Sequence, residues 1–315
     1  MAENFNTFFT SVAKNIVDEI VPSSSDNDNN YCLAPQTNSI FSFDDTPFLI
    51  SDGYDAITSL EPKKNLDINE LSVFFVSKFK NEISKPLHHI FKLSFSSGYV
   101  PYQLKIAKVV PVFKSGDKKV MDNYRPISLL NVFSKIFEKI VASRLNLYLD
   151  NNKLLNTHQF GFRKKHSTTH PLIKFNNFLA KANNEKQFAV SIFCDLRKAF
   201  DTCDHKILLK KLHHYGIRGV ELEWFTNYLS NRKQSVFIDS MYSSLLDILI
   251  GVPQGSILGP LLFLLYINDL PYCTSLLSLL FADDTTLLAR NNCLETLLLF
   301  VNSELRKVSQ YFRKK

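Results

Sequence analysis

Residues 275–290 read SLLSLLFADDTTLLAR, and the aspartate pair at the centre of this run limits what the surrounding chain can become. An unpaired carboxylate among apolar side chains costs several kcal/mol, and Asp283 and Asp284 set two like charges side by side. Such a pair is tolerable at a bend that lifts both side chains out at one rim of the fold. The pattern fits that solution: residues 277–282 and 285–288 read as two short strands with the acids at the turn between them. A second strand-like run, QFAVSIFC at 187–194, leads directly into another acid, Asp195. If these strands are neighbours in one sheet, three carboxylates converge at its edge, and oxygen ligands of that kind suit a hard divalent cation such as Mg²⁺. On spacing alone the plainer alternative stays open. An Asp-Asp pair after an apolar strand is often only a turn, and Asp195, Asp201 and Asp204 each suit a helix N-cap.

The rest of the chain mixes helical and strand periodicity without a strict βαβ rhythm, which favours an α+β domain. Residues 3–20 place Phe5, Phe8, Phe9, Val12, Ile16 and Ile20 on one helical face, and a second helical run is expected over about 68–96. The polar run PSSSDNDNN at 22–30 reads as a solvated linker. Residues 1–98, with a linker across 22–45, are expected to form a helical extension or connector to a main domain over 99–315. In that domain, KIAKVVPVFKSGDKK alternates like a strand and turns at Ser115, Gly116 and Asp117. Helical spacing follows at 131–149, 204–214, 219–229, 256–268 and 294–312, with a strand pair across 234–250.

Composition narrows the partners. Lys and Arg outnumber Asp and Glu by 37 to 30, and the pI of about 9.0 suits a polyanionic partner. Five cysteines (Cys32, Cys194, Cys203, Cys273 and Cys293) are odd in number and show no C-x-x-C spacing, so they read as reduced thiols of an intracellular protein. Residues 248–268 are uncharged and long enough to cross a bilayer, yet Pro253, Gly255 and Pro260 would leave backbone groups bare in lipid. This run reads as a buried loop followed by a core helix, with no membrane partner.

Six segments settle the direction of the argument: KVVPVFKSGDKK (108–119), NYRPISLLNVFSKIFEKIVASRL (123–145), HQFGFRKKHST (158–168), FCDLRKAFDTCDH (193–205), GVPQGSILGPLLFLLYINDLP (251–271) and FADD (281–284). In this order they closely resemble the reverse transcriptase domain of non-LTR retrotransposons, the long interspersed elements of the jockey and CR-one type. NFNTFFTSVAKNI is more loosely similar to the segment that precedes this domain. The resemblance implies the fingers and palm of a right-hand polymerase and RNA-directed DNA synthesis. Two Mg²⁺ ions, with Mn²⁺ as a substitute, would be held by Asp195 and Asp283 with Asp284 in support. It further implies that Phe200 is a steric gate against the 2′ hydroxyl, and that Gln254 and Gly255 meet the incoming nucleotide and template base. Lys108, Lys114 and Arg125 would hold the triphosphate, and Arg163, Lys164, Lys165 and His166 would meet the template or primer backbone. The implied partners are an RNA template, a DNA primer or target, and deoxynucleoside triphosphates, in the cytoplasm and nucleus.

The sequence departs from the family pattern in two small ways. Phe281 stands where many reverse transcriptases carry tyrosine, and Cys194 precedes the acid where an aliphatic residue is usual. The chain also ends at SQYFRKK, short of the family's thumb, and carries neither an N-terminal endonuclease nor a zinc knuckle. It is therefore expected to be a fragment of a longer element-encoded protein. Two rival readings follow from the same residues: an RNA-dependent RNA polymerase, against which Phe200 argues, and an inactive retroelement remnant that at most binds RNA.

Overall fold

The alternation in IAKVVPVF becomes a strand, and that strand organises the larger of two sheets. In the computed structural model, which describes residues 1–19 and 33–313, the chain enters through α1 (Ala2–Glu19), α2 (Ile50–Thr58), α3 (Val73–Lys78) and α4 (Lys80–Ser97). Strands β1 (Ile106–Phe113) and β2 (Tyr124–Leu130) follow, then α5 (Val132–Asn151), α6 (Thr169–Asn184) and β3 (Phe188–Cys194). Helices α7 (His205–His214) and α8 (Gly219–Leu229) lead to β4 (Arg232–Ile238), β5 (Met241–Tyr242) and β6 (Leu246–Ile248). The chain then runs through α9 (Leu258–Ile267), the hairpin of β7 (Leu277–Phe281) and β8 (Asp284–Asn291), and α10 (Leu294–Arg313). Ile20, Cys32 and the polar run at 22–30 lie outside the described residues.

The larger sheet has the order β2-β1-β4-β5, with β6 also on β4. β1 runs parallel to β4 and antiparallel to β2, where Pro111 lies opposite Pro126. Neither ring can donate to a ladder, and the placement allows for it: Pro126 is on the edge strand and Pro111 lies past the end of the β4 pairing. α1 packs Phe5 and Phe9 against Val109 and Val236 of this sheet, and its buried Asn6 donates to Ser243 Oγ at 2.9 Å. The smaller sheet is antiparallel in the order β3-β8-β7.

Helix α9 has no polar face, so it must be enclosed, and Leu258, Leu262, Leu264 and Leu265 have no exposed surface. Each such side chain contributes about 1.5–3 kcal/mol. This is the core helix read from 256–268, and among the described residues no helix is long and apolar enough to cross a membrane. Its first-turn donors would be bare in that environment, and the buried Glu138 of α5 supplies the acceptor: its Oε2 takes the Ile257 N–H at 2.7 Å, and its Oε1 takes the Tyr228 hydroxyl at 2.9 Å. A second buried acid, Asp269, pairs with Lys211 at 2.5 Å and accepts from the Tyr311 hydroxyl at 2.6 Å, which ties α7 and α10 to the turn after α9.

Residues 33–45 differ from the expected linker. Phe41 and Phe43 are 1% and 2% exposed, Phe43 stacks on Phe95 at 4.3 Å, and the Arg144 guanidinium donates to the Phe43 and Thr46 carbonyls. The apolar residues of 34–100 share one core with those that follow. The helix expected over 68–96 starts at Val73, where the Ser72 hydroxyl accepts the Phe75 N–H at 3.1 Å, and breaks at Phe79. α2 and α6 have no counterpart in the sequence reading. α6 exposes Leu172, Ile173 and Leu179, so its residues show no clean apolar stripe. Among the described residues, Cys194, Cys203 and Cys293 are free thiols.

Candidate active site

The acids meet because of register. Cys194, the last residue of β3, lies opposite Thr285, and Phe281 of β7 lies opposite Asp284, so Asp195 leaves its strand at the rim where the β7–β8 turn stands. That turn consists of Ala282 and Asp283, with Ala282 in the left-handed region at φ 60°. Asp195 and Asp284 are exposed, and Asp283 is half-buried. Burial is the main influence that raises the Asp283 carboxyl above the usual carboxylate range, and the charges of Asp284 and Asp195 add to it. Its own backbone N–H and the Arg125 guanidinium pull the other way. One carboxyl therefore feels two other acids from its own sheet and a cation from β2 of the larger sheet.

The turn is held from outside by residues 158–161. Leu280 N–H donates to the His158 carbonyl at 2.9 Å and Phe160 N–H to the Leu280 carbonyl at 2.8 Å, so this stretch borders the free edge of β7. Gln159, 1% exposed, then brackets the turn: its Oε1 accepts the Ala282 N–H at 3.0 Å and the Gly161 N–H at 2.8 Å, and its Nε2 donates to the Ala282 carbonyl at 3.3 Å. A Cβ on Gly161 would collide with the Ala282 backbone, so only glycine fits this approach.

A second loop, carrying Gln254 and Gly255, packs against β2, with the Ser128 N–H donating to the Gln254 carbonyl at 2.8 Å. Gly255 sits at φ 106°, and a Cβ there would stand 2.6 Å from the Ser128 carbonyl oxygen. Gln254 Nε2 donates to both carboxylate oxygens of Asp201 at 3.1 and 3.2 Å. Phe200, next to Asp201, stacks on Phe263 at 4.6 Å and meets the Phe162 ring edge-on at 6.0 Å. Of the three acids read as possible caps, Asp204 does cap α7, accepting the Ile207 N–H at 2.9 Å, while Asp201 is engaged with Gln254 and Asp195 stands at the rim after β3.

The basic residues separate. Arg125 is exposed and faces Asp283, and Lys114 is exposed beyond the end of β1. Lys108 is buried with its ammonium over the Phe237 ring at 3.9 Å, away from this group. Arg163 directs its guanidinium inward to the Asn156 and Gln159 carbonyls at 3.0 and 3.2 Å, bracing the segment that grips the turn. His166 is half-buried beside Phe160 and bonded to the Lys164 carbonyl, whereas Lys164 and Lys165 are exposed.

The donors at the acidic rim are carboxylate oxygens, a set suited to Mg²⁺ or Mn²⁺. Burial, with the Asp284 and Asp195 charges adding to it, raises the Asp283 carboxyl, and a bound cation would lower the cost of its charge. The acids share a rim without being closed into a cage: among the described residues, no three His, Cys, Asp or Glu side chains already form a metal-sized cluster. The sequence reading missed Gln159, Gly161 and Asp201 as contributors. The available signal was a lone glutamine and glycine inside HQFGF, which was read only for its basic tail.

With this geometry, the comparison with known proteins is direct. Residues 114–315 match the reverse transcriptase (RNA-dependent DNA polymerase) family. The chain is 30% identical over 262 residues, 78% of its length, to a probable RNA-directed DNA polymerase from transposon BS of Drosophila melanogaster. It is 35% identical over 211 residues, 64% of its length, to the RNA-directed DNA polymerase from mobile element jockey of the same organism. A probable RNA-directed DNA polymerase from transposon X-element is 35% identical over 202 residues, 62% of the chain. The matched region spans 28%, 23% and 22% of these three relatives. The chain belongs to the reverse transcriptase family, in the branch carried by non-LTR retrotransposons of the jockey type.

Proposed function

We propose that this chain forms the fingers and palm of an RNA-directed DNA polymerase that adds deoxynucleotides to a primer 3′ end on an RNA template. The observation that supports the proposal is the strand register that ends β3 just before Asp195 beside the β7–β8 turn carrying Asp283 and Asp284. In this reading the smaller sheet is the palm and the larger one the fingers. Asp195 and Asp283 would hold two Mg²⁺ ions, replaceable by Mn²⁺, with Asp284 in support. When bound, such ions supply Lewis acidity at the primer hydroxyl and neutralise the departing pyrophosphate. Arg125, with Lys114, binds the triphosphate through charge-assisted hydrogen bonds.

Phe200, braced by Phe263, blocks the space that a 2′ hydroxyl would need. Gln254 and Gly255 meet the new base pair. Lys164 and Lys165 bind template or primer phosphates without reading sequence. The template is the parent element's RNA and the primer a DNA end at its target. Primer extension by the 315-residue chain tests this reading. The expected result is extension on an RNA template with deoxynucleotides that needs Mg²⁺ or Mn²⁺ and stops on chelation. Preference for ribonucleotides, or a folded chain that extends nothing in either metal, would overturn it.

A further inference from the structure

We infer that Asp201 is a positioning residue of the nucleotide-facing loop, gripping the Gln254 side-chain amide and so setting how that amide meets the nascent base pair. The inference rests on the polymerase reading for what Gln254 does, but its physical content stands on the loop itself. The backbone on either side of Gln254 is already fixed. Gly251 N–H donates to the Cys203 carbonyl and Val252 N–H to the Phe200 carbonyl, each at 2.8 Å, while Ser128 N–H donates to the Gln254 carbonyl at 2.8 Å. A Cβ on Gly251 would stand 2.6 Å from the Asp201 carbonyl oxygen, so the two segments cannot slide past one another. What remains free is the direction of the Gln254 amide, and both Asp201 oxygens take it. Because Asp201 follows Phe200 directly, one peptide sets both the gate ring and this amide.

A carboxylate is a poor choice if the bond is only structural. Asp201 and Gln254 line a small cavity with Phe9 and Thr10 of α1, Ser128 of β2 and Gln234 of β4, none of them charged. The cation that acts on Asp201 is Lys198 of its own loop, which is itself engaged with Asp122 at 3.1 Å. The buried Cys203 thiol, pushed up in pKa, lies on the same segment. Burial dominates and lifts the Asp201 carboxyl to about 6, with Lys198 and Gln254 opposing it. An asparagine would give the amide one acceptor without that desolvation cost, so the retained charge points to function.

Two consequences share one titration. The folded carboxyl binds its proton more tightly than the unfolded one, so ionisation lowers stability above about pH 6, and this loss disappears below the ordinary carboxylate range. As pH falls through about 6, protonation exchanges a two-oxygen acceptor for one acceptor and a hydroxyl donor, and the hold on Gln254 slackens.

The test follows the Gln254 side-chain amide by NMR in the whole chain labelled with ¹⁵N at glutamine, its signal assigned by loss in Gln254→Ala. The expected result is a Gln254 shift with a midpoint near pH 6 that is absent in Asp201→Asn. Asp201→Asn should also raise Tm at pH 8 by a few degrees, whereas a merely structural acid would lower it when removed. In primer extension the same variant should raise KM for the deoxynucleotide about three- to tenfold with kcat nearly unchanged. An unmoving Gln254 amide, or a lowered Tm, overturns the inference. A folded parent chain that extends no primer sinks the polymerase reading instead, and the Gln254 titration still decides this one.

Discussion

The turn that carries Asp283 and the loop that carries Gln254 both contain left-handed backbone, at Ala282 (φ 60°) and Gly255 (φ 106°), yet they are restrained by opposite means. A two-residue hairpin with its first position at positive φ favours glycine, and alanine there costs on the order of 1 kcal/mol. The turn offsets that strain with neutral contacts that do not titrate: the three hydrogen bonds of Gln159 and the close approach of Gly161. The loop uses glycine where the backbone bends, so it stores little strain, and fixes its working side chain through a titratable acid. Acids that must share cations need a scaffold that does not move, while a side chain that meets successive base pairs can be tuned. The difference assigns rigidity to the turn and adjustability to the loop.

The largest effect that tests this contrast comes from the acids themselves. Asp195→Asn and Asp283→Asn should each cut primer extension by roughly 10³-fold or more while leaving RNA binding and Tm nearly unchanged. For Asp283 the melting temperature should hold or rise, because the substitution removes a carboxyl that burial and two like charges already disfavour. A large fall in Tm in either variant would mean that the acid supports the fold and not the chemistry.

The supports should behave in the reverse manner. Gln159→Ala strips partners from both backbone groups of Ala282 and should cost roughly 2–4 kcal/mol in denaturant unfolding. Gly161→Ala drives a methyl into the same turn and should cost on the order of 2–3 kcal/mol. Extension should fall with stability in both. If Gln159→Ala unfolded like the parent, the neutral clamp would not be what holds the turn.

The site was more legible in the sequence than its supports, and the reason is physical. Asp283 and Asp284 interrupt an apolar run, a conflict visible without coordinates, and QFAVSIFC runs straight into Asp195 with clean strand character. Gln159, Gly161 and Asp201 create no conflict in their local sequence; their roles depend on contacts 53–123 residues away in the chain with Gln254 and Ala282. Lys108 and Arg163 show the converse. Each is a basic residue in a motif rich in charge, yet one lies over the Phe237 ring and the other is spent on backbone carbonyls. Sequence records that a charge is present but not which way a long side chain turns. α10 was readable from one strong amphipathic period and α9 from an unbroken apolar run, whereas α6 leaves Leu172, Ile173 and Leu179 exposed among its polar residues and was not read.

The smallest effect concerns how the two sheets are joined beside the site. Asp122, just before β2, lies 3.1 Å from Lys198 Nζ and 4.0 Å from the Arg197 guanidinium, cations two and three residues past Asp195. The Asp122 and Arg197 side chains are 46% and 65% exposed, so solvent and salt screen most of the attraction. Asp122→Asn should therefore cost less than about 1 kcal/mol, with the difference fading in 1 M salt. Lys198 is the informative member, since its side chain is only 17% exposed and its backbone sits at φ 53°. If Asp122→Asn lowered stability by several kcal/mol, or shifted the Gln254 amide titration by releasing Lys198 toward Asp201, the acid-held loop would be coupled to the larger sheet. The contrast between a rigid turn and an adjustable loop would then extend to that sheet as well.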